Sequence, residues 1–188
     1  MRERSFLFVK EPVWHANRAG LPQQLPSAAR SWIYEAGSLT QRLRSFYGDS
    51  VKVKVLHQHY SKPFFSENRL LGLAPQTRQL VREVMLIAGN VPLILARTVI
   101  PDSTMMVAAN TLSSLGDRPL GEVIFAYPDL ARQQLDLCSV KPLSWTAKAG
   151  QLANIENKVL GRRTCYLIAR QQPLLVSEFF LPGALALD

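Results

Sequence analysis

The stretch from Gln79 to Ile100, QLVREVMLIAGNVPLILARTVI, decides how this chain is read. Two mostly apolar runs, Gln79 to Ala88 and Val91 to Ile100, are separated by Gly89-Asn90, a two-residue hairpin signal. The pattern predicts a pair of antiparallel strands. With a strict two-residue turn, Ala88 pairs with Val91, and counting outward sets Arg82 directly opposite Arg97. Their neighbours on that face are Leu80, Val84 and Leu86 on one strand and Leu93, Leu95 and Val99 on the other, so both cations project into apolar surroundings. Like charges opposed across strands destabilise a sheet, and a buried charge without a partner costs still more. Something anionic is therefore expected between them. One reading gives each Arg a structural carboxylate or an exit to solvent at the sheet edge. The other uses the two planar forks for a ligand carrying two carboxylates.

A third ionisable group lies in Leu174 to Leu181, where Glu178 falls on the strand face of Leu174, Val176 and Phe180. Glu178 serves either as the structural counter-ion of the arginines or as a carboxylate that accepts and delivers a proton. In the second case burial and nearby positive charge push its pKa in opposite directions.

Around these segments the sequence describes an α+β domain, an antiparallel sheet with helices gathered on one side. Residues 1–26 read as an N-terminal extension, irregular from Gly20 to Pro26, and the fold proper, 27–188, begins near Ser27. Trp32, Ala36, Leu39, Leu43 and Phe46 recur at helical spacing, while Gly37-Ser38 interrupts them and Ser38 with Gln41 has the form of a capping box. Two helices are predicted, the second ending at Gly48. Val51, Val53 and Val55 alternate with Lys52 and Lys54 as in a half-buried strand. Asp102 or Ser103 is expected to cap a helix carrying Met105, Ala109, Leu112 and Leu115, closed by Gly116. Further strands are expected at Glu122 to Tyr127, Thr164 to Ala169 and Leu174 to Leu181. The stretch from Cys138 to Lys158 reads as a lid or an inserted surface loop.

Composition narrows the function classes. The 188 residues, 47% of them hydrophobic, suit one globular domain. The formal charge of +8 predicts attraction to anions. The basic residues are dispersed, with Arg162-Arg163 the densest group, so no nucleic-acid-binding arm is present and aromatic-basic interleaving is lacking. Cys138 and Cys165 form no metal knuckle or disulfide framework and read as reduced, buried thiols. The apolar stretch from Phe6 to Val9 is too short for a signal-peptide core, and no stretch is long enough to span a bilayer. A cytoplasmic location is the expectation, with peripheral contact to anionic lipid compatible with the charge. His57 and His59 share a strand face without a third ligand nearby and read as exposed strand histidines, so no metal is expected. Ser177 lacks a nucleophile elbow, no glycine-rich phosphate loop exists, and Tyr127 and Tyr166 read as core or rim aromatics.

These residues sit within a set of motifs that resembles the chorismate lyase family. The set comprises Ser38-Leu39-Thr40 with Arg42, Val81-Arg82-Glu83-Val84, Ala96-Arg97-Thr98-Val99-Ile100-Pro101, Leu115-Gly116, Pro119-Leu120-Gly121, Arg162-Arg163, and Pro173 through Pro182. They occur in family order over roughly Trp32 to Pro182. The resemblance implies a monomer with an enclosed site under mobile flaps. It also implies cofactor-free cleavage of chorismate to 4-hydroxybenzoate and pyruvate for ubiquinone synthesis. Carried over by position, Arg82 binds the ring carboxylate, Arg97 matches the family's second arginine, Leu39 and Leu120 touch the ligand largely through backbone groups, and Glu178 lies near the reacting oxygens. Arg82 and Glu178 are thus the expected catalytic residues. Leu39 stands where other members carry Met, Leu160 where an aromatic often precedes Gly-Arg-Arg, and the Cys138 to Lys158 stretch is longer than usual. The leading rival is a non-catalytic module of related fold that senses a small carboxylate.

Overall fold

Gly89, at φ 57°, turns the chain between β3, Gln79–Ala88, and β4, Val91–Ile100, so the hairpin read from the sequence forms in the computed structural model of the chain. The structure describes residues 4–19, 24–112 and 115–187. The other strands are β1, His15–Ala16; β2, Val51–Ser61; β5, Ala131–Val140; β6, Val159–Ile168; and β7, Gln172–Phe180. All pair antiparallel in one sheet of order β1-β5-β6-β7-β4-β3-β2.

The hairpin register differs from the two-residue count. Ala88 pairs with Val91 and Ile87 with Pro92, but Leu86 pairs with Ile94, leaving Leu93 as an extra residue. This β-bulge adjoins Pro92, whose nitrogen has no hydrogen to give the ladder. Every pair beyond the bulge is displaced by one, so Glu83 faces Arg97 and Arg82 faces Thr98. Arg82 and Arg97 therefore project from opposite faces of the sheet, which corrects the expectation that they meet.

Helices α1, Ser27–Ile33, and α2, Leu39–Tyr47, cover one face, joined there by α4, Asp102–Leu112, α5, Leu120–Ile124, and α7, Pro182–Leu185. This is the expected α+β class. Trp32, Ile33, Leu39 and Leu43 pack on Leu86, Ile94 and Phe180, while Ala108, Leu112, Val123 and Ile124 pack on Tyr166, Leu174 and Val176. Burying each large apolar side chain contributes about 1.5–3 kcal/mol. Ser38 caps α2 by accepting from the Gln41 amide, and Gly48, at φ 57°, closes it, as the sequence predicted.

The opposite face is covered by the N-terminal segment and two helices of six residues each, α3, Phe65–Leu70, and α6, Ala147–Leu152. Leu7 and Phe8 are buried there with Phe64, Trp145 and Phe179. Phe8 lies 4.6 Å from Trp145, centroid to centroid. The N-terminal segment is thus part of the core and, through β1, of the sheet. Residues 20–23 of the expected irregular stretch lie outside the described residues. The Cys138 to Lys158 stretch is neither a lid nor a surface insertion, because Trp145, Ala149 and Ala153 help build this second core.

Two local expectations are also corrected. Glu122 to Tyr127 is not a strand: Pro119 stands at the N-cap of α5, and the adjacent Val123 and Ile124 both point inward. A short apolar run does not separate helix from strand by period alone. In α4 the helix begins at Asp102 itself, with the Met105 amide bonded to the Pro101 carbonyl, and the buried stripe is Thr104, Ala108 and Leu112. Ala109 is exposed.

Candidate active site

The helix-covered face encloses a cavity of about 60 Å³ between the sheet and the N-terminal ends of α2 and α5. Its floor comes from β3, β4, β6 and β7, which contribute Arg82, Thr98, Tyr166 and Glu178 among apolar neighbours. Its roof includes Leu39, Pro119, Leu120 and Gly121. Leu39 and Leu120 are the first residues of their helices, where backbone N–H groups have no intrahelical acceptor. The two helices touch at this point: a Cβ on Gly121 would stand 2.9 Å from Ser38 Oγ, so only glycine allows α5 to approach the cap of α2 so closely.

Arg82 is 2% exposed and bonds only neutral oxygens. Nη1 donates to Gln58 Oε1 at 2.5 Å and to the Gly116 carbonyl at 2.7 Å, and Nη2 donates to the Arg118 carbonyl at 3.0 Å. It thereby ties the loop before α5 to the sheet. No carboxylate among the described residues pairs with it. Burial pulls its pKa below the ordinary Arg value, opposed by the charge of Asp117. A cation so placed gains from an anionic ligand, because its desolvation is already incurred.

Glu178 is engaged by a different arginine from either that the sequence reading proposed. Arg162 Nε donates to Glu178 Oε2 at 2.6 Å, while Arg162 Nη1 donates to the carbonyls of Ile33 at 3.0 Å and Glu35 at 2.7 Å. A cation at the C-terminal end of α1 suits the helix dipole. Burial works against the Arg162 charge, but Glu178 and its other neighbours outweigh it and raise the pKa above the usual value. Glu178 Oε1 accepts no hydrogen bond from the described residues. Tyr166 is held protonated, its pKa raised first by burial and then by Glu178, so a neutral phenol also borders the cavity.

Arg97 has no place in this cavity. On the opposite face its Nε and Nη2 bond Glu67 at 2.7 and 3.0 Å, and its Nη1 bonds Glu83 at 2.6 Å. Glu83 also accepts from Ser5 Oγ at 2.5 Å and the Phe6 amide at 2.6 Å. This closed ion triad anchors the N-terminal segment, which is the structural-carboxylate reading of Arg97 and a correction to its use as a ligand-binding residue. The structure brings together Leu39, Arg82, Leu120 and Glu178, with Arg97 excluded. Arg162, Tyr166 and Thr98 were missed as site residues. Arg162 was legible: counting outward from the second hairpin, Ile168 with Gln172, sets Arg162 opposite Glu178. Among the described residues no group of three metal-ligating side chains occurs, and His57 and His59 stack edge to face at 5.0 Å.

Fold and site together define an α+β domain in which a buried cation, paired by no carboxylate among the described residues, borders a cavity under the helices. Comparison with known proteins gives this class its family. The model of the family described as chorismate lyase matches residues 11–186. A probable chorismate pyruvate-lyase of Methylococcus capsulatus is 40% identical over 156 residues, 83% of this chain and 96% of that one. The chain belongs to the chorismate lyase family, which makes it an enzyme of the carbon–oxygen lyase class. Among solved structures, the PhnF C-terminal domain matches with a TM-score of 0.57 at 17% identity, over 78% of this chain and 89% of that one. The ligand-binding domain of a putative GntR-family transcriptional regulator from Bordetella bronchiseptica matches with a TM-score of 0.52 at 14% identity, over 71% and 87%. These two likenesses concern the fold alone.

Proposed function

We propose that this chain cleaves chorismate to 4-hydroxybenzoate and pyruvate, without metal or organic cofactor, as the entry step toward ubiquinone. The observation that carries the reading is Arg82, a buried guanidinium bordering the cavity whose hydrogen bonds all go to neutral oxygens. The ring carboxylate of chorismate supplies the counter-charge, and the backbone amides of Leu39 and Leu120 donate to ligand oxygens. Glu178 lies on the same cavity wall, oriented by Arg162 through Oε2.

The reaction balances without an oxidant or reductant. The carbon–oxygen bond between ring and enolpyruvyl group breaks, and its electron pair goes to the departing oxygen. The proton on the hydroxyl-bearing ring carbon is lost, and the pair it leaves behind completes the aromatic ring. The released enolpyruvate takes up one proton at its methylene carbon and becomes pyruvate. Glu178 assists these proton movements through Oε1, and aromatisation supplies much of the driving force, so positioning and charge stabilisation suffice.

The test is incubation of purified, metal-stripped protein with chorismate, following both products by chromatography. Equimolar 4-hydroxybenzoate and pyruvate is the expected result. Ligand binding without products would favour a non-catalytic sensing module of related fold.

A further inference from the structure

The layer that covers the opposite face of the sheet has an unusual outer surface. Val9 is 72% exposed, Val13 68%, Phe65 72% and Leu143 96%, four large apolar side chains that the second core leaves in water. They belong to one continuous layer. The Val9 amide bonds the Ser144 carbonyl at 3.0 Å, next to Leu143. The Ser66 amide bonds Glu11 Oε1 at 3.0 Å, which brings α3 and Phe65 against the same N-terminal segment. Arg4 then joins this segment to the start of α3 through the carbonyls of Lys62 and Pro63.

The exposed charges on the segments that carry these side chains are positive. Arg4, Lys10, Lys62, Arg69, Lys141 and Lys148 are exposed and enter no ion pair among the described residues. Two carboxylates of the same layer are engaged within it: Glu67 is buried on Arg97, and the half-buried Glu11 accepts from the Ser66 amide, while Glu156, beyond α6, is exposed. Between Arg4, Lys62, Phe65 and Arg69 lies an open hollow of about 460 Å³. No helix among the described residues is long and apolar enough to cross a membrane, so the arrangement suits contact with a surface and not insertion through it.

We propose that this face docks on an anionic lipid surface, with Phe65 and Leu143 entering the interfacial region and Arg4, Lys62 and Arg69 meeting lipid phosphates. Charge complementarity selects this occupant. A second copy of the chain seated on the same patch would oppose cation to cation. An acidic protein would satisfy the charges but would not require separated apolar tips standing clear of the surface, which is how peripheral proteins reach the headgroup boundary. The cavity bordered by Arg82 lies on the other side of the sheet, so docking here does not cover it.

The experiment is co-sedimentation of the full chain with vesicles of phosphatidylcholine alone or of phosphatidylcholine mixed with phosphatidylglycerol, over a salt series. The expected result is binding only to the anionic vesicles, declining as salt rises. Lys62→Glu with Arg69→Glu should weaken it roughly ten-fold or more. A control with the same change in net charge, Arg30→Glu with Arg170→Glu, should retain most of it. Phe65→Ser with Leu143→Ser should abolish the binding that survives at high salt. Circular dichroism verifies that each variant is folded, and chorismate turnover without vesicles should be unchanged in all of them. Equal loss in the control would reduce the effect to net charge and overturn the proposal. So would binding by the Ser variant that matches the unaltered chain at every salt, since a soluble acidic partner then fits as well.

Discussion

Glu83 stands directly across from Arg97 on the neighbouring strand, and Arg97 Nη1 donates to Glu83 Oε1 at 2.6 Å. Together with Glu67 this pair forms a buried triad, and the Arg97 guanidinium also lies 4.4 Å from the centre of the Phe64 ring. Its work is to fasten the N-terminal segment across the sheet. Arg97→Ala should therefore destabilise the fold by about 3–5 kcal/mol, because two buried carboxylates lose their partner. Urea unfolding measures this, and amide exchange at Phe6 and Leu7 should accelerate. The affinity of the remaining folded protein for 4-hydroxybenzoate should not change, which separates a structural cation from a ligand-binding one.

Arg82→Ala should give the reverse pattern. Removal of the unpaired cation should weaken binding of 4-hydroxybenzoate by about 2–4 kcal/mol, or roughly 30- to 1,000-fold. The fold should lose much less, since the partners left behind are neutral oxygens. Isothermal titration together with thermal melting checks both halves. Undiminished affinity would remove Arg82 from the site.

Glu178→Gln keeps an oxygen to accept from Arg162 Nε but removes the carboxylate charge. Turnover of chorismate should fall by roughly 10²–10⁴-fold, the range of general acid–base contributions, with a much smaller change in product affinity. A steady-state split of kcat from KM, beside direct binding of 4-hydroxybenzoate, reads the two effects. Full turnover would leave Glu178 only as the counter-ion of Arg162.

Stability should fall in alkali. Burial raises the Cys138 thiol above its ordinary 9.0, with Arg163 opposing, and burial likewise raises Cys165. The unfolded chain therefore releases these protons at lower pH than the folded chain. The stabilisation is fully present below about pH 9 and is lost as pH rises toward the folded values, with a slope of up to about 1.4 kcal/mol per pH unit for each thiol. Denaturant midpoints measured from pH 8 to 10 should decline, and Cys138→Ala should flatten the decline. An unchanged slope in that variant would assign the loss to other groups.

Much of this architecture was legible one residue type at a time. The strand begun at Val51, the Gly89-Asn90 turn, Ser38 before α2 and the apolar runs on either side of Arg82 each report a local preference that the native structure honours, although Val55, expected on the buried face, is 40% exposed. Leu39, Leu120 and Glu178, named as ligand contacts by resemblance, do border one cavity with Arg82. Glu122 to Tyr127 was misread because five residues with adjacent apolar side chains carry no period that separates helix from strand.

Pairing was the harder matter, and the two hairpins show why. Across β6 and β7 the register is unbroken, and simple counting would have joined Arg162 to Glu178. Across β3 and β4 one extra residue at Leu93, beside a proline that cannot donate, displaces everything beyond it and sends Arg82 and Arg97 to opposite faces. The order of residues was enough to announce strands, turns and buried arginines, because those depend on neighbours in the chain. Which arginine borders the cavity and which locks the core depended on a single bulge and on where Glu67, Ser5 and the ends of α2 and α5 arrive from distant parts of the chain. Side-chain period in a sheet is two, so a slip of one residue exchanges its inside for its outside.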